Sequence, residues 1–231
     1  MKHMASKKYK CPYCGKEFTK ERTLQVHMCE PKRRYLQKDE KWVVNAFMVF
    51  QRFYQIHQKN SKTKTYDDFV GSPYYNAFVK FGRFIMHINP LYPDKYIDFV
   101  LKSKVKLDHW ARDDLYETYL IETIKTEPVE SALQRSITTM MDWATEQNAQ
   151  WSDYFRLVNT NRAVQHIQQG KISPWLLLGC NAGKRMLKSF SDEQLQMIER
   201  FINPSFWPSK LKSYPADHML VQDTAKEAKI V

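Results

Sequence analysis

Residues 9–29 read YKCPYCGKEFTKERTLQVHMC, and the reading of this stretch decides how the chain begins to fold. Cys11 and Cys14 are separated by Pro12 and Tyr13, a spacing that lets one tight turn aim two thiolates at a single metal ion. Gly15 follows, where the backbone must reverse direction and a residue without a Cβ is favoured. Phe18 lies three residues beyond Gly15, Leu24 six further on and His27 three after that. Thr19 reads as the N-cap of a short helix, with Glu21 and Arg22 in its first turn.

Through its first three ligands the pattern resembles the Cys2His2 zinc-finger family. The resemblance implies a ββα module holding one structural Zn2+. Phe18 and Leu24 would form a mini-core between hairpin and helix, and His27 would project from the helix onto the metal. The fourth ligand departs from the family, which expects His or Cys after three to five intervening residues; Pro31, Lys32 and Arg33 cannot serve. Cys29 is the only thiol nearby and is taken as the fourth ligand. Residues i and i+2 do not share a helix face, so the helix is expected to loosen or end at His27. Pro31 agrees, because the residue before a proline avoids the helical region.

Charge extends the reading. The 231 residues carry a formal net charge of +11, and residues 1–41 hold twelve Lys and Arg against five Asp and Glu, or +7 of that total. A local positive field of this kind attracts polyanions. Counted from the helix start, the family's base-reading positions fall on Lys20, Thr23 and Val26, with Arg22 beside them. Lys20 and Arg22 suit phosphate or guanine, whereas Val26 offers only a methyl contact. The run Pro31-Lys32-Arg33-Arg34-Tyr35 adds cations for phosphate and a ring for base stacking. Lys20, Arg22, Lys32, Arg33, Arg34 and Tyr35 are therefore the candidate nucleic-acid contacts, with DNA favoured. For each of these cations taken singly, a solvated surface charge is the competing reading.

Three of the four cysteines fall within residues 11–29 and Cys180 stands alone, a distribution unlike a secreted disulfide framework. No apolar run approaches the roughly 20 residues needed to span a bilayer, so no membrane partner is expected. The start, MKHMAS, has no apolar stretch behind it and reads as a cloning remnant with Met4 as the natural start, not as a signal peptide. An intracellular site of action suits the thiol ligands.

From about residue 38 the pattern becomes helical. Val43, Ala46, Phe47, Phe50, Phe53, Tyr54 and His57 recur at mostly three- and four-residue steps, an apolar face broader than a finger can bury. Residues 59–64 read as a polar loop. Ser72 and Pro73 open a further helix, in which Phe78, Phe81, Ile85 and Ile88 face one way and Asn76, Lys80, Arg83 and His87 another; Asn89-Pro90 ends it. Helical segments are expected at 91–104, 107–126, 128–148, 151–169, 174–189, 191–202 and 215–228, with a capping box at Ser191 and Gln194. No alternating strand and no fixed-period repeat is present. The expected fold is mainly α: a small ββα finger with a basic extension over residues 1–35, then an irregular all-helical domain over residues 36–231.

The helical part offers little catalytic chemistry, and no catalytic residue is assigned. The stretch Gly179 to Arg185 is one residue short of a phosphate loop, lacks Ser or Thr after Lys184, and reads as a helix break. His109, Asp113 and Glu117 are spaced as one face of one helix, where a solvated charged face is the stronger reading. Cys180 reads as a buried thiol, the six tryptophans as core, and His57 and His166 as core or rim histidines.

Several further stretches, namely Cys29 to Leu36, Phe50 to Tyr54, Ser72-Pro73-Tyr74-Tyr75 and Ile172-Ser173-Pro174-Trp175, resemble uncharacterised proteins of T-even-like tailed bacteriophages. That resemblance implies a viral context, with the host cytoplasm as the site of action, and supplies no activity. Three functions are compatible with the sequence: a non-enzymatic nucleic-acid-binding factor, an adaptor whose finger binds a polymerase-type protein, and a metal-dependent enzyme acting on nucleic acid.

Overall fold

The computed structural model describes residues 8–58 and 62–230. The reading of MKHMAS and the first part of the polar loop at 59–64 lie outside the described residues. The chain is mainly α, with one two-stranded sheet among the described residues. Packing divides it into two compact units, Met1–Leu115 and Tyr116–Val231.

The first unit opens with β1 (Tyr9–Lys10) and β2 (Glu17–Phe18), an antiparallel hairpin pairing Tyr9 with Phe18 and Lys10 with Glu17. Gly15 turns the chain at φ +72°, the left-handed conformation its position requires. Then come α1 (Glu21–Val26), α2 (Glu30–Leu36), α3 (Lys41–His57), α4 (Tyr66–Val70), α5 (Tyr75–Ile88), α6 (Pro93–Lys102) and the start of α7 (Asp113–Thr126). Helix α1 starts one residue later than a Thr19 cap implies: Lys20 is the N-cap, extended at φ −124° and ψ 132°. The α5 start also moves. Ser72 accepts from the Tyr74 N–H in a preceding turn, and the helix begins at Tyr75. Asn89 ends it in the left-handed region at φ 43°, which Asn tolerates best after Gly. A capping box between Thr65 and Asp68 starts α4, a short helix that apolar periodicity does not signal.

Helices α3 and α5 form the main pair of this unit, and Gly82 is why they close. A Cβ there would lie 2.3 Å from the Trp42 carbonyl oxygen and 3.0 Å from the Ala46 nitrogen. The core around the pair is aromatic: Phe50 meets Phe69 at 5.1 Å and Phe78 at 5.3 Å, and Trp110 closes on Phe81 at 5.5 Å.

The second unit contains the rest of α7, then α8 (Val129–Gln147), α9 (Tyr154–Leu157), α10 (Thr160–Gln168), α11 (Pro174–Gly179), α12 (Asn181–Leu187), α13 (Asp192–Ile202), α14 (Trp207–Ser213) and α15 (Pro215–Glu227). Three expected helical segments are broken, the first being 107–126, which divides into a 3-10 turn at Leu107–His109 and α7. The segment at 151–169 splits at Val158-Asn159, and the segment at 174–189 splits at Cys180, the N-cap of α12. The Cys180 thiol accepts from the Gly183 N–H at 3.4 Å, confirming a helix break there. Helix α14 occupies a proline-rich stretch where no helix is expected; Pro208 sits in its first turn, where no N–H is needed. The Ser191–Gln194 capping box is formed. Trp110, Trp143, Trp175 and Trp207 are buried, and Trp175 packs edge-on to Trp207 at 5.8 Å.

Two outcomes test this packing. Gly82→Ala must force α5 off α3, and overpacking of this kind costs about 1–3 kcal/mol. A lowered urea midpoint with intact zinc content is expected. His166, 7% exposed, bonds the Tyr154 hydroxyl through Nδ1 at 2.7 Å. Burial, reinforced by Lys171 and Arg162, pushes its imidazole down to about 4 from an ordinary value of 6.5. The folded state therefore resists protonation, and the contribution is complete above pH 6.5 and lost as pH falls towards 4. A shift of that size is worth about 3 kcal/mol. Stability should fall more steeply over that window in the natural chain than in the Tyr154→Phe/His166→Leu double variant; parallel curves would refute the linkage.

Candidate metal centre and its basic flank

Four side chains converge at the N-terminal end of the first unit. The hairpin presents two of them: the Cys11 N–H donates to the Lys16 carbonyl at 2.8 Å, and the Gly15 N–H to the Cys11 carbonyl at 2.9 Å. This knuckle carries both Cys11 and Cys14. Helix α1 ends as the spacing requires, with His27 as its C-cap at ψ 121°. Two residues later Cys29 is the N-cap of α2, at φ −90° and ψ 164°. The intervening extended backbone brings Cys29 to the same side as His27. Pro31 corrects one expectation: it does stand beyond the end of α1, but it also lies in the first turn of a new helix and helps start it.

Cys11 Sγ lies 3.9 Å from Cys29 Sγ, and Cys14 Sγ lies 3.3 Å from His27 Nε2. All four ligand atoms fall within 4.8 Å of one another. With Zn–S bonds near 2.3 Å, a tetrahedron has edges of about 3.8 Å, so the spacing matches one zinc ion. Three thiols and one imidazole are a zinc donor set, and four protein ligands complete the shell, as in structural sites. These four residues are thus positioned to bind one zinc. Phe18 packs against the His27 ring at 4.8 Å and orients it. Cys11 is 2% exposed. Burial alone would raise its thiol pKa, but hydrogen bonds from the backbone of Cys14 and Tyr13 and from the neighbouring thiols hold it below its ordinary value. Such donors favour the thiolate that a metal requires.

The candidate nucleic-acid residues separate into two groups. Lys20, Arg22 and Arg33 are exposed and form no ion pair among the described residues. Lys32, Arg34 and Tyr35 are engaged within the unit. Lys32 Nζ donates to the His27 carbonyl at 3.1 Å, satisfying the end of α1. Arg34 donates to the Val70 carbonyl and to Glu30, and its guanidinium lies 4.3 Å from the centre of the Tyr75 ring. Tyr35 donates its hydroxyl to Asp67 and packs between Tyr13 at 5.3 Å and Tyr66 at 5.7 Å. The enzyme constellation is not assembled. His109 sits in a 3-10 turn at Leu107–His109, Asp113 begins α7 after a break, and Glu117 is paired with Arg200 at 2.6 Å. One grouping escapes sequence reasoning: Lys80 and Arg83 of α5 share a cleft with Arg33 and Arg34 of α2. Their helical spacing is visible in the sequence, but the helix opposite them is not.

This architecture defines a mainly α protein with one N-terminal zinc finger. Residues 9–30 match the family described as zinc finger, C2H2 type, the span that carries all four ligands. No curated protein and no solved structure matches the chain. None of these comparisons supports a likeness to tailed-phage proteins. No helix among the described residues is long and apolar enough to cross a membrane.

Cys29→Ser tests the fourth ligand. Natural protein is expected to carry one zinc per chain. The variant should bind it more weakly by more than the ~10–100-fold that loss of a ligand's hydrogen-bond partner costs, read by chelator competition. Cys180→Ser should keep full zinc content; equal affinity in all three would assign the fourth ligand elsewhere.

Proposed function

We propose that the chain is a non-enzymatic nucleic-acid-binding factor, acting inside the cell, in which zinc holds a basic surface in shape. The observation that carries this reading is the set of exposed cations Lys20, Arg22 and Arg33 on and beside the finger, which form no ion pair among the described residues. With Glu21 opening α1, Lys20, Thr23 and Val26 occupy the family's base-reading positions. Phosphate contacts are assigned to Lys20, Arg22 and Arg33, with Lys32 adding charge beside them. Arg34 and Tyr35, tied to α4 and α5, are given the task of fixing α2. In this reading residues 1–35 are the recognition module, the helical remainder supports it, and DNA is the favoured polyanion. The motifs resembling tailed-phage proteins support a phage regulatory, replication or transcription setting.

A second reading has its own observation. Val26 and Met28 are 76% and 58% exposed at the end of α1. An apolar tip beside the metal suits a protein partner of the polymerase type, which would make the chain an adaptor.

Zinc-loaded protein titrated with random single- and double-stranded oligonucleotides across a salt series separates the two. The first reading expects binding that weakens steeply with salt. Arg22→Gln and Arg33→Gln should each lower the slope of log affinity against log salt by about 0.9 on duplex. Absence of binding at low salt would overturn it and leave the adaptor.

A further inference from the structure

We propose that the cleft between α2 and α5 is a phosphate-binding site, which shares Arg33 with the proposed finger surface and adds Lys80 and Arg83 of α5. The cleft has a volume of about 370 Å³, within the range of small-molecule sites. Helix α5 contributes Asn76, Lys80 and Arg83 at i, i+4 and i+7, a spacing that puts them on one face. Helix α2 contributes Arg33 and Arg34 from the opposite wall. Four cations thus line one concavity on two helices that are far apart in sequence. The carboxylate beside them is Glu30, which Arg34 already holds at 2.5 Å. Arg33, Lys80 and Arg83 form no ion pair among the described residues, so the cleft carries an uncompensated charge of about +3 in a concave wall, where fields are focused.

The cations are held in different ways. Arg34 is fixed by Val70, Glu30 and the Tyr75 ring, and its Nε is buried without a hydrogen-bond partner. Arg83 rests over the Trp42 ring at 5.5 Å, which limits where its guanidinium can go. Lys80 and Arg33 are exposed at the mouth. Gln37 adds a neutral amide to the same wall, and Asn76 adds another that hydrogen-bonds Glu30. A held guanidinium, exposed cations and amide groups together fit a phosphate group, whose oxygens accept from several donors at once. Mutual repulsion among these cations disfavours the empty cleft and is relieved when an anion enters.

Two sources could supply that phosphate: a free phosphate or phosphate monoester, or the backbone of a bound nucleic acid. The test uses full-length, zinc-loaded protein and the Lys80→Gln/Arg83→Gln variant, with zinc content and helicity confirming that the variant folds. Inorganic phosphate is titrated at constant ionic strength against chloride, then short random oligonucleotides. Phosphate should raise the unfolding temperature of the natural chain beyond chloride, and the variant should bind it at least tenfold more weakly. If oligonucleotide affinity falls in the same variant, the cleft holds a backbone phosphate. If it does not, the cleft serves a small phosphate ligand. Equal binding of phosphate by both proteins, or none by the natural chain, would overturn the proposal. Arg22→Gln, on the finger, should leave inorganic phosphate binding unchanged, so failure of the finger reading and failure of this one remain distinguishable.

Discussion

Cys29 holds two positions at once, and the first unit depends on that coincidence. Its thiol is one of the four groups positioned to bind a zinc ion, and it is also the N-cap residue of α2. Because the ligand is also the start of the helix, no linker separates the metal from the basic run. Helix α2 therefore starts at the cluster of four ligand atoms. From there Arg34 reaches the Val70 carbonyl, Tyr35 reaches Asp67, and Tyr66 donates back to the Arg34 carbonyl at 2.8 Å. A conventional finger, with its last histidine inside a continuous helix, would carry the basic run along the helix axis instead. Here the short His-Met-Cys spacing turns the chain at the metal.

The same geometry joins the finger to the helices of the first unit. Tyr13 lies in the knuckle between the two ligating cysteines and packs on Tyr35, which packs on Tyr66. Tyr66 packs on Phe47 and Phe69, and Phe69 on Phe50. Ring contacts of this kind add about 0.5–1.5 kcal/mol each beyond the area they bury. The chain of rings runs from the metal knuckle into the α3–α5 core, which explains why the finger falls inside the unit Met1–Leu115. Metal binding and the packing of this unit are then linked, since whatever orders the knuckle also orders the face against which Tyr35 rests.

What is legible in the sequence is local. Ligand spacing, Gly15 in its left-handed turn, the end of α1 at His27 and the capping box at Ser191 all depend on residues within a few positions of each other. Ambiguity enters where one residue type has two uses. Pro31 reads as a helix stop and also starts a helix; Pro208 stands in a proline-rich stretch where no helix is expected, yet lies in the first turn of α14. Apolar periodicity carries across real breaks: it runs unchanged through the Cys180 N-cap between α11 and α12, where only the stretch Gly179 to Arg185 signals the break. The least legible features depend on distant partners. Gly82 offers no local sign that it faces the Trp42 carbonyl. Arg34 reads as one more exposed cation in a basic run, although its side chain is 14% exposed and fixed by α4 and α5.

The burial of Arg34 bears on how a single finger could grip a polyanion at all. In the proposed nucleic-acid reading, one finger would span about three base pairs and Val26 would offer only an apolar contact, so selectivity from the finger alone would be small. Affinity must then come from the number and placement of phosphate contacts. Cations on a loose tail can follow any backbone but lose entropy at each contact. Cations on packed helices lose less, provided that their spacing suits the ligand. Arg34 and Tyr35 are held by internal bonds, and those bonds tie α2, which carries Arg33, to α4, beside the α5 helix that carries Lys80 and Arg83. The internal bonds of Arg34 therefore do not argue against a basic surface here; they hold the helix that carries Arg33.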